Sequence, residues 1–430
     1  MVLRAMFSGV SGLRAESEAI GVVGDNIANV NTVGFKSQRA VFQDVLGHSI
    51  LAGTSSALPG SGVRVGDVQQ LFTQGSITNT GVSTDVALNG DGFLVVAGTV
   101  DGITSNFYTR AGQLTIDNDG FLVNAQQLNV QGYRANPDGT LQASVADLQV
   151  PTASLAPFST NEITITANLD SRSPVTTFDI LDPDGTSNGS TSITVFDSLG
   201  TARTLDIYFN NAGGNLYTYN VVADGGELAG GTPGTHTLVS TGSLQFTSDG
   251  ALDTATTPPL SLSFAGGATA AQAIDLNFGD DIQTDGTTGL AGTTQFASVT
   301  AVSSQSQNGY ASGEFSGLAI DGTGLVQGLY TNGQKITIGQ LAVAKFRSND
   351  GLGRAGQNLW IETRDSGTAA LGAAGAGGRA SVTAAALESS NVDLGEEFVG
   401  LIQHQRSFSA NSRTITTADE MLQELINIKR

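Results

Sequence analysis

A chain of 430 residues exceeds one ordinary domain, and its length predicts roughly three. Its net charge of −20 argues against nucleic acid or an anionic membrane as partner, and no apolar run approaches the ~18 residues that would predict membrane insertion. With no cysteine, disulfides and thiolate metal sites are excluded, while 56 glycines and only 13% charged residues suit short strands joined by tight turns.

The chain opens on helical periodicity. Leu3, Met6, Val10, Leu13, Ser17, Ile20, Gly24 and Ile27 recur at spacings of three and four, with Arg4, Arg14, Glu16, Glu18 and Asp25 on the other faces. Gly9, Gly12, Gly21 and Gly24 each cost about 1 kcal/mol relative to alanine. Such a helix is weak alone and orders only when packed. No unbroken apolar core precedes Arg14 and Glu16, so the opening does not read as a Sec signal. A cytoplasmic protein, or one exported without a cleaved signal, is expected.

After the helix comes Ala28-Asn29-Val30-Asn31-Thr32-Val33-Gly34-Phe35-Lys36. Asn29 and Asn31 suit a turn where the helix stops, Gly34 permits positive φ, and Phe35 can anchor the connector. Residues 36–70, rich in Ser and Gly, read as that polar connector. From about Val68 the pattern changes to short strands, and Asp-Gly pairs within 87–96, 114–123 and 133–142 predict hairpins.

A second β region spans about 149–296. Between Pro151 and Thr300, 15 Asp and Glu face only 2 Arg, as on a solvated outer surface. From about 297 the earlier β character returns, with KITIGQLAVAKF and LWIETRDSG, and residues 368–386 read as a flexible return linker. The C-terminus mirrors the N-terminus. Leu394, Phe398, Leu401, Gln405, Phe408, Ser412, Ile415, Asp419, Leu422 and Ile426 keep a strict four–three alternation, and Asp393 with Glu396 resembles a capping box. A helix over 393–430 would be a rod of about 57 Å, too long for one small core to cover.

The expected fold is mainly β with long terminal α-helices that pair as a coiled-coil-like inner domain. Its nesting is 1–70 with 388–430 as the helical domain and connector, 71–148 with 297–387 as a discontinuous β domain, and 149–296 as an inserted outer β domain. An ordinary core-facing helix would also explain either terminal seam. The two seams, however, sit at opposite chain ends around an all-β middle, and both contain small or polar positions. That favours helices pairing with each other and with neighbouring copies.

No catalytic signal stands against this structural role. His48, His236 and His404 are isolated and supply no H-E-x-x-H spacing, and no Walker A phosphate loop occurs. Asp117-Asn118-Asp119-Gly120 begins like a calcium loop but has no Glu at the twelfth position, so a hairpin turn is expected. Asp280-Asp281 reads as surface acidity, Asn188-Gly189-Ser190 is a sequon only in a glycosylating context, and Trp360 reads as core. Catalytic, cofactor and metal sites are expected to be absent.

The segment Ala28, Asn29, Asn31, Thr32, Gly34 and Phe35 resembles the signature of the axial proteins of the bacterial flagellum: rod, hook and hook–filament junction. STDVALNGDGFLVV and YTRAGQLTIDNDGFLVNAQQLNVQGY resemble the β domain of that family, and the stretch from ALESSNVDLGEEF to the C-terminus resembles its terminal helix. The insertion of roughly 150 residues, with SITVFDSLGTARTLDIYF and YASGEFSGLAIDGTGLVQGLYTNGQ, resembles the hook subunits within the family. The resemblance implies a non-enzymatic homopolymer: a flexible tube passing torque from rod to filament around an export channel. It implies subunits exported unfolded by the flagellar type III route, and hook cap, distal rod, hook–filament junction and export proteins as partners. The assembly faces would then be Leu3, Met6, Val10, Leu13, Ile20 and Ile27 with Leu394, Phe398, Leu401, Phe408, Ile415, Leu422 and Ile426. A distal-rod or junction subunit is the nearer alternative. A secreted β-rich carbohydrate-active enzyme is the remoter one, and no carboxylate pair has a distinctive setting for it.

Overall fold

The computed structural model describes residues 2–46 and 60–428. A helix at Val2–Ala28 and a 35-residue helix at Leu394–Ile428 bracket described residues that are mostly strands and turns, with short helical turns such as Pro183–Thr186 and Ile282–Asp285 between them. Contacts gather residues 1–152, 317–329 and 335–430 into one compact unit and 153–316 with 330–334 into another.

In the first unit the two helices run antiparallel against each other, as the near contacts of Gly9 with Ile415 and Gly12 with Asn411 show. Strands Gln38–Leu46 and Gly60–Gln70 form an antiparallel ladder that also packs on the N-terminal helix. The expected polar connector over 36–70 is therefore largely strand. Its composition conceals a barely apolar ladder, since Phe42 and Val68 stay exposed while the backbone groups pair. The GTSSALP segment and His48 lie outside the described residues.

The main sheet orders Lys335–Lys345, Asn129–Ala135, Phe93–Val100, Ile103–Thr109, Leu359–Ile361 and Gly353–Gly356, so segments from both sides of the insertion interleave. Trp360, Phe93, Tyr108, Phe346 and Phe72 form its aromatic core, with Phe93 and Trp360 centroids 5.4 Å apart and Tyr108 edge-on to Phe346 at 4.7 Å. Trp360 is core as expected, and its indole N–H donates to Gln70 Oε1 at 2.9 Å.

Two of the three expected hairpins form. Leu114–Ile116 returns as Leu122–Asn124, with the Asp117 carboxylate accepting from the Asp119 and Phe121 amides, so that segment is a turn. Asn129–Ala135 returns as Leu141–Asp147. Asn89–Gly92 does not close a hairpin: Val86–Asn89 pairs with Ser381–Ala384, whereas Phe93–Val100 pairs with Ile103–Thr109. The true turn is Asp101-Gly102, both at positive φ (49° and 80°), as a two-residue hairpin of matching twist requires. The supposed linker over 368–386 also forms strands, at Ala370–Ala373, Ser381–Ala384 and the start of Ala386–Glu388. Its alanines read as flexible, yet Ala374, Ala380, Val382 and Ala386 are small enough to be buried against their neighbours.

The second unit stacks a five-stranded antiparallel meander, Gly189–Phe196 through Leu252–Thr256, on a four-stranded sheet of Leu260–Leu262, Gln272–Asn277, Glu162–Asn168 and Ala301–Gln307. Alternate residues of Gln272–Asn277 are buried and exposed, the period-two pattern of a one-sided strand. Asp281 is not surface acidity as expected: it is buried, its carboxylate accepting the Ala255 and Thr284 amides as the cap of the short helix Ile282–Asp285, while Asp280 stays exposed. Asn188 is tied to Thr176, Pro174 and Asn211.

Candidate assembly site

The paired terminal helices and the turn that anchors them form the candidate site. The N-terminal helix turns Gly9, Gly12, Ala15, Ala19, Val23 and Asn26 inward, a line of mostly small side chains at spacings of three and four. A Cβ at Gly9 would lie 2.9 Å from Ile415 Cγ1, and one at Gly12 2.6 Å from Asn411 Nδ2. Those two glycines are what lets the helices approach closely. Gly21 and Gly24 have nothing within 4 Å of their Cβ positions.

The large apolar residues of the sequence seams lie elsewhere. Met6, Val10, Leu13, Ile20 and Ile27 are only half-buried; the Leu3 and Ile426 side chains lie outside the described residues. On the C-terminal helix, Leu401, Ile415 and Leu422 are half-buried, whereas Leu394, Phe398 and Phe408 are exposed, Phe398 to 50%. Phe7 is 68% exposed. The inner contact is thus small and polar, and the predicted seams coincide with it only in part, because small side chains allow the close approach that large ones would prevent.

Polar side chains fix the pairing, and periodicity alone did not single them out. Asn26 is buried and donates from Nδ2 to Glu397 Oε1 and to the Gln38 carbonyl, each at 2.8 Å, while its Oδ1 accepts the Gln38 amide. His404 Nδ1 lies 2.7 Å from Glu16 Oε2. The Glu397 carboxyl is held above the usual carboxylate range, chiefly by desolvation; the Asn26 hydrogen bond opposes this. An acid whose folded pKa is raised holds its proton better when folded, so its contribution grows as pH falls from neutral into the window between the raised and ordinary values. Far-UV circular dichroism at pH 7 and pH 5 should show a thermal gain on acidification that is smaller in Glu397→Gln. An equal gain in the variant would refute this.

The motif after the helix is a folded joint. Asn29 Nδ2 donates back to the Asp25 carbonyl at 2.9 Å, and Thr32 Oγ1 donates to Asn29 Oδ1 at 3.0 Å. Ala28 and Asn31 are exposed. Gly34 sits at φ 69°, where a Cβ would lie 2.6 Å from the Arg110 carbonyl carbon, and its amide donates to the Glu388 carbonyl at 2.8 Å. Phe35 is buried.

Behind the turn lies a buried charge cluster absent from the sequence-based expectations. Glu388 is fully buried between Lys36, with Nζ 2.6 Å from Oε1, and Arg110, with Nη1 3.1 Å from Oε2. The Gly75 amide also donates to Oε1. Lys36 Nζ donates to the Thr73 carbonyl and Arg110 Nη2 to that of Gly90, while the Arg110 guanidinium lies 5.4 Å from the centre of the Phe93 ring. Burial pulls Lys36 below the usual lysine range against the opposing pull of Glu388. Asn391 completes the joint, accepting the Ser37 amide and donating to the Leu71 carbonyl. The cluster ties the joint after the first helix to the strand before the second. Among the described residues no group of three His, Asp or Glu is placed to hold a metal. No described helix is long and apolar enough to cross a membrane.

Comparison with known proteins matches every part of this architecture. Residues 6–36 match the flagella basal body rod protein model, and 87–170 the flagellar hook protein FlgE/F/G D1 domain. Residues 164–310 match the flagellar basal body protein FlaE D2 domain, and 383–428 the flagellar basal body rod FlgEFG protein C-terminal model. The flagellar hook protein FlgE of Salmonella typhimurium is 36% identical over 98% of both chains. That of Escherichia coli is 35% identical over 99% of this chain and 100% of its own, and that of Treponema pallidum 33% over the whole of both. The crystal structure of Helicobacter pylori flagellar hook protein FlgE2 shares the fold, with TM-score 0.52 at 14% identity over 73% of this chain and 100% of that one. The chain belongs to the flagellar hook protein family.

Proposed function

We infer that this chain is the structural subunit of a flagellar hook, polymerising with copies of itself into a flexible helical tube that transmits torque from rod to filament. The observation that carries this most is the helix pair. Two long helices with large apolar side chains left exposed are clamped at one joint to a β-rich body. In the proposed tube they form the innermost layer around the export channel, and the β units stack outside as semi-rigid blocks. Full-length matches that include the region of the outer insertion support a hook subunit over a distal-rod or junction subunit. The assignment gives the chain no catalytic step. Export without a cleaved signal, and contacts with hook cap, rod, junction and export proteins, belong to the same proposal. Glycine-punctuated helices that are weak alone suit unfolded passage through a narrow channel.

Removing residues 1–27 or 394–430 should abolish tube formation while the single tryptophan, Trp360, keeps its buried emission. Tubes of normal appearance from either truncation would contradict the assignment.

A further inference from the structure

The outer faces of the terminal helices carry a second pattern that the helix pair does not use. On the N-terminal helix, Arg14, Glu18, Gly21 and Asp25 are all exposed. At about 100° per residue they lie roughly opposite the buried line of Gly12, Ala19 and Val23. On the C-terminal helix, Arg406, Arg413 and Glu420 are exposed, with Ile402, Ser409 and Ala410 beside the two arginines. They lie about half a turn from His404 and Asn411, which face the partner helix. Among the described residues, Arg14, Glu18, Arg406, Arg413 and Glu420 have no ion-pair partner within the chain. Among the described residues, the Asp25 carboxylate accepts hydrogen bonds from Asn29 and Gln38.

The spacings match. Glu18 and Asp25 are seven residues apart, as are Arg406 and Arg413, or about 10.5 Å along each axis. We propose that, in the tube, the outer face of one copy's N-terminal helix receives the outer face of a second copy's C-terminal helix, antiparallel, with Glu18 opposite Arg413 and Asp25 opposite Arg406. The proposal rests on the tube assignment above and adds the register. That register sets Gly21 opposite Ala410 and brings Arg14 within reach of Glu420, so the order plus, minus, minus meets minus, plus, plus. It also accounts for Gly21. Its missing side chain does nothing within the chain, where a Cβ would stand in open space, yet glycine weakens a helix interior. Close approach by a second helix at that point supplies a reason, as Gly9 and Gly12 supply one inside the chain.

Two experiments on the full chain test the register. The chain has no cysteine, so Gly21→Cys with Ala410→Cys introduces the only two thiols. They sit on opposite outer faces, so an oxidised bond between them must join two copies. Oxidised tubes should run as a ladder of multimers on non-reducing gels, while dilute monomer should not. Separately, Glu18→Arg and Arg413→Glu should each raise the critical concentration for assembly by about two- to fivefold, the scale of lost surface ion pairs, with the double reversal returning most of the loss. Tubes of the double-cysteine chain that give no cross-linked ladder, or single reversals that assemble as wild type, would overturn the register alone. A wild-type chain that never forms tubes would overturn the hook assignment with it.

Discussion

Replacing Glu388 with alanine should lower the unfolding free energy of the unit that contains it by about 3–5 kcal/mol, the usual cost of stranding buried charges. Lys36 and Arg110 are packed against the lost carboxylate with almost no exposure, so neither can turn to water without opening the joint. Arg110 cannot shed its charge at accessible pH, whereas Lys36 can. Lys36 already titrates below the ordinary lysine range because it is buried, and losing Glu388 removes the main force holding its proton. A base whose folded pKa is depressed gains relative stability as pH rises from the folded value towards the unfolded one. The penalty for Glu388→Ala should therefore shrink between pH 7 and pH 9.5. Urea titration followed by Trp360 fluorescence measures both, since that ring lies in the core of the same unit. A loss under about 1 kcal/mol would place the pair in the surface class of ion pairs and refute the clamp.

Gly34→Ala should cost about 2–4 kcal/mol, combining a left-handed backbone with forced overpacking. The clash is with the backbone of Arg110, at 2.6–2.8 Å, so no side-chain rotation relieves it. Gly21→Ala makes the contrast. Its Cβ meets open space in the single chain, so the helix should gain up to about 1 kcal/mol of local stability. Opposite signs for one chemical change would separate a glycine required by the joint from one that the isolated subunit does not need. The same urea titration reads Gly34→Ala, and the helical signal of the monomer reads Gly21→Ala; destabilisation by both would remove the distinction.

The helices were legible because a spacing of three and four over many turns survives any tertiary context. The turn at Asn29, Thr32, Gly34 and Phe35 was legible because each residue acts locally, through a side-chain hydrogen bond, a positive φ or burial. The clamp was not legible. Lys36, Arg110 and Glu388 are far apart in sequence, and only the folded sheets bring them together. The Asn89–Gly92 turn misled for a related reason: the local signal for a tight turn is sound, but pairing with Ser381–Ala384 sends the strands to different sheets. Hydropathy likewise selected Phe398 and Phe408 as seam residues. It responds to apolar area, whereas the inner contact depends on the smallness of Gly9, Gly12 and Ala19, to which hydropathy is nearly blind.

Electron microscopy of the purified full-length chain under assembling conditions bears most directly on the proposal that the helix pair builds a hollow tube. Curved or flexible tubes with a central channel, whose innermost layer is the paired helices Val2–Ala28 and Leu394–Ile428, are predicted. A chain that stays monomeric, or a tube whose innermost layer is β-sheet with the helices outside, would contradict it.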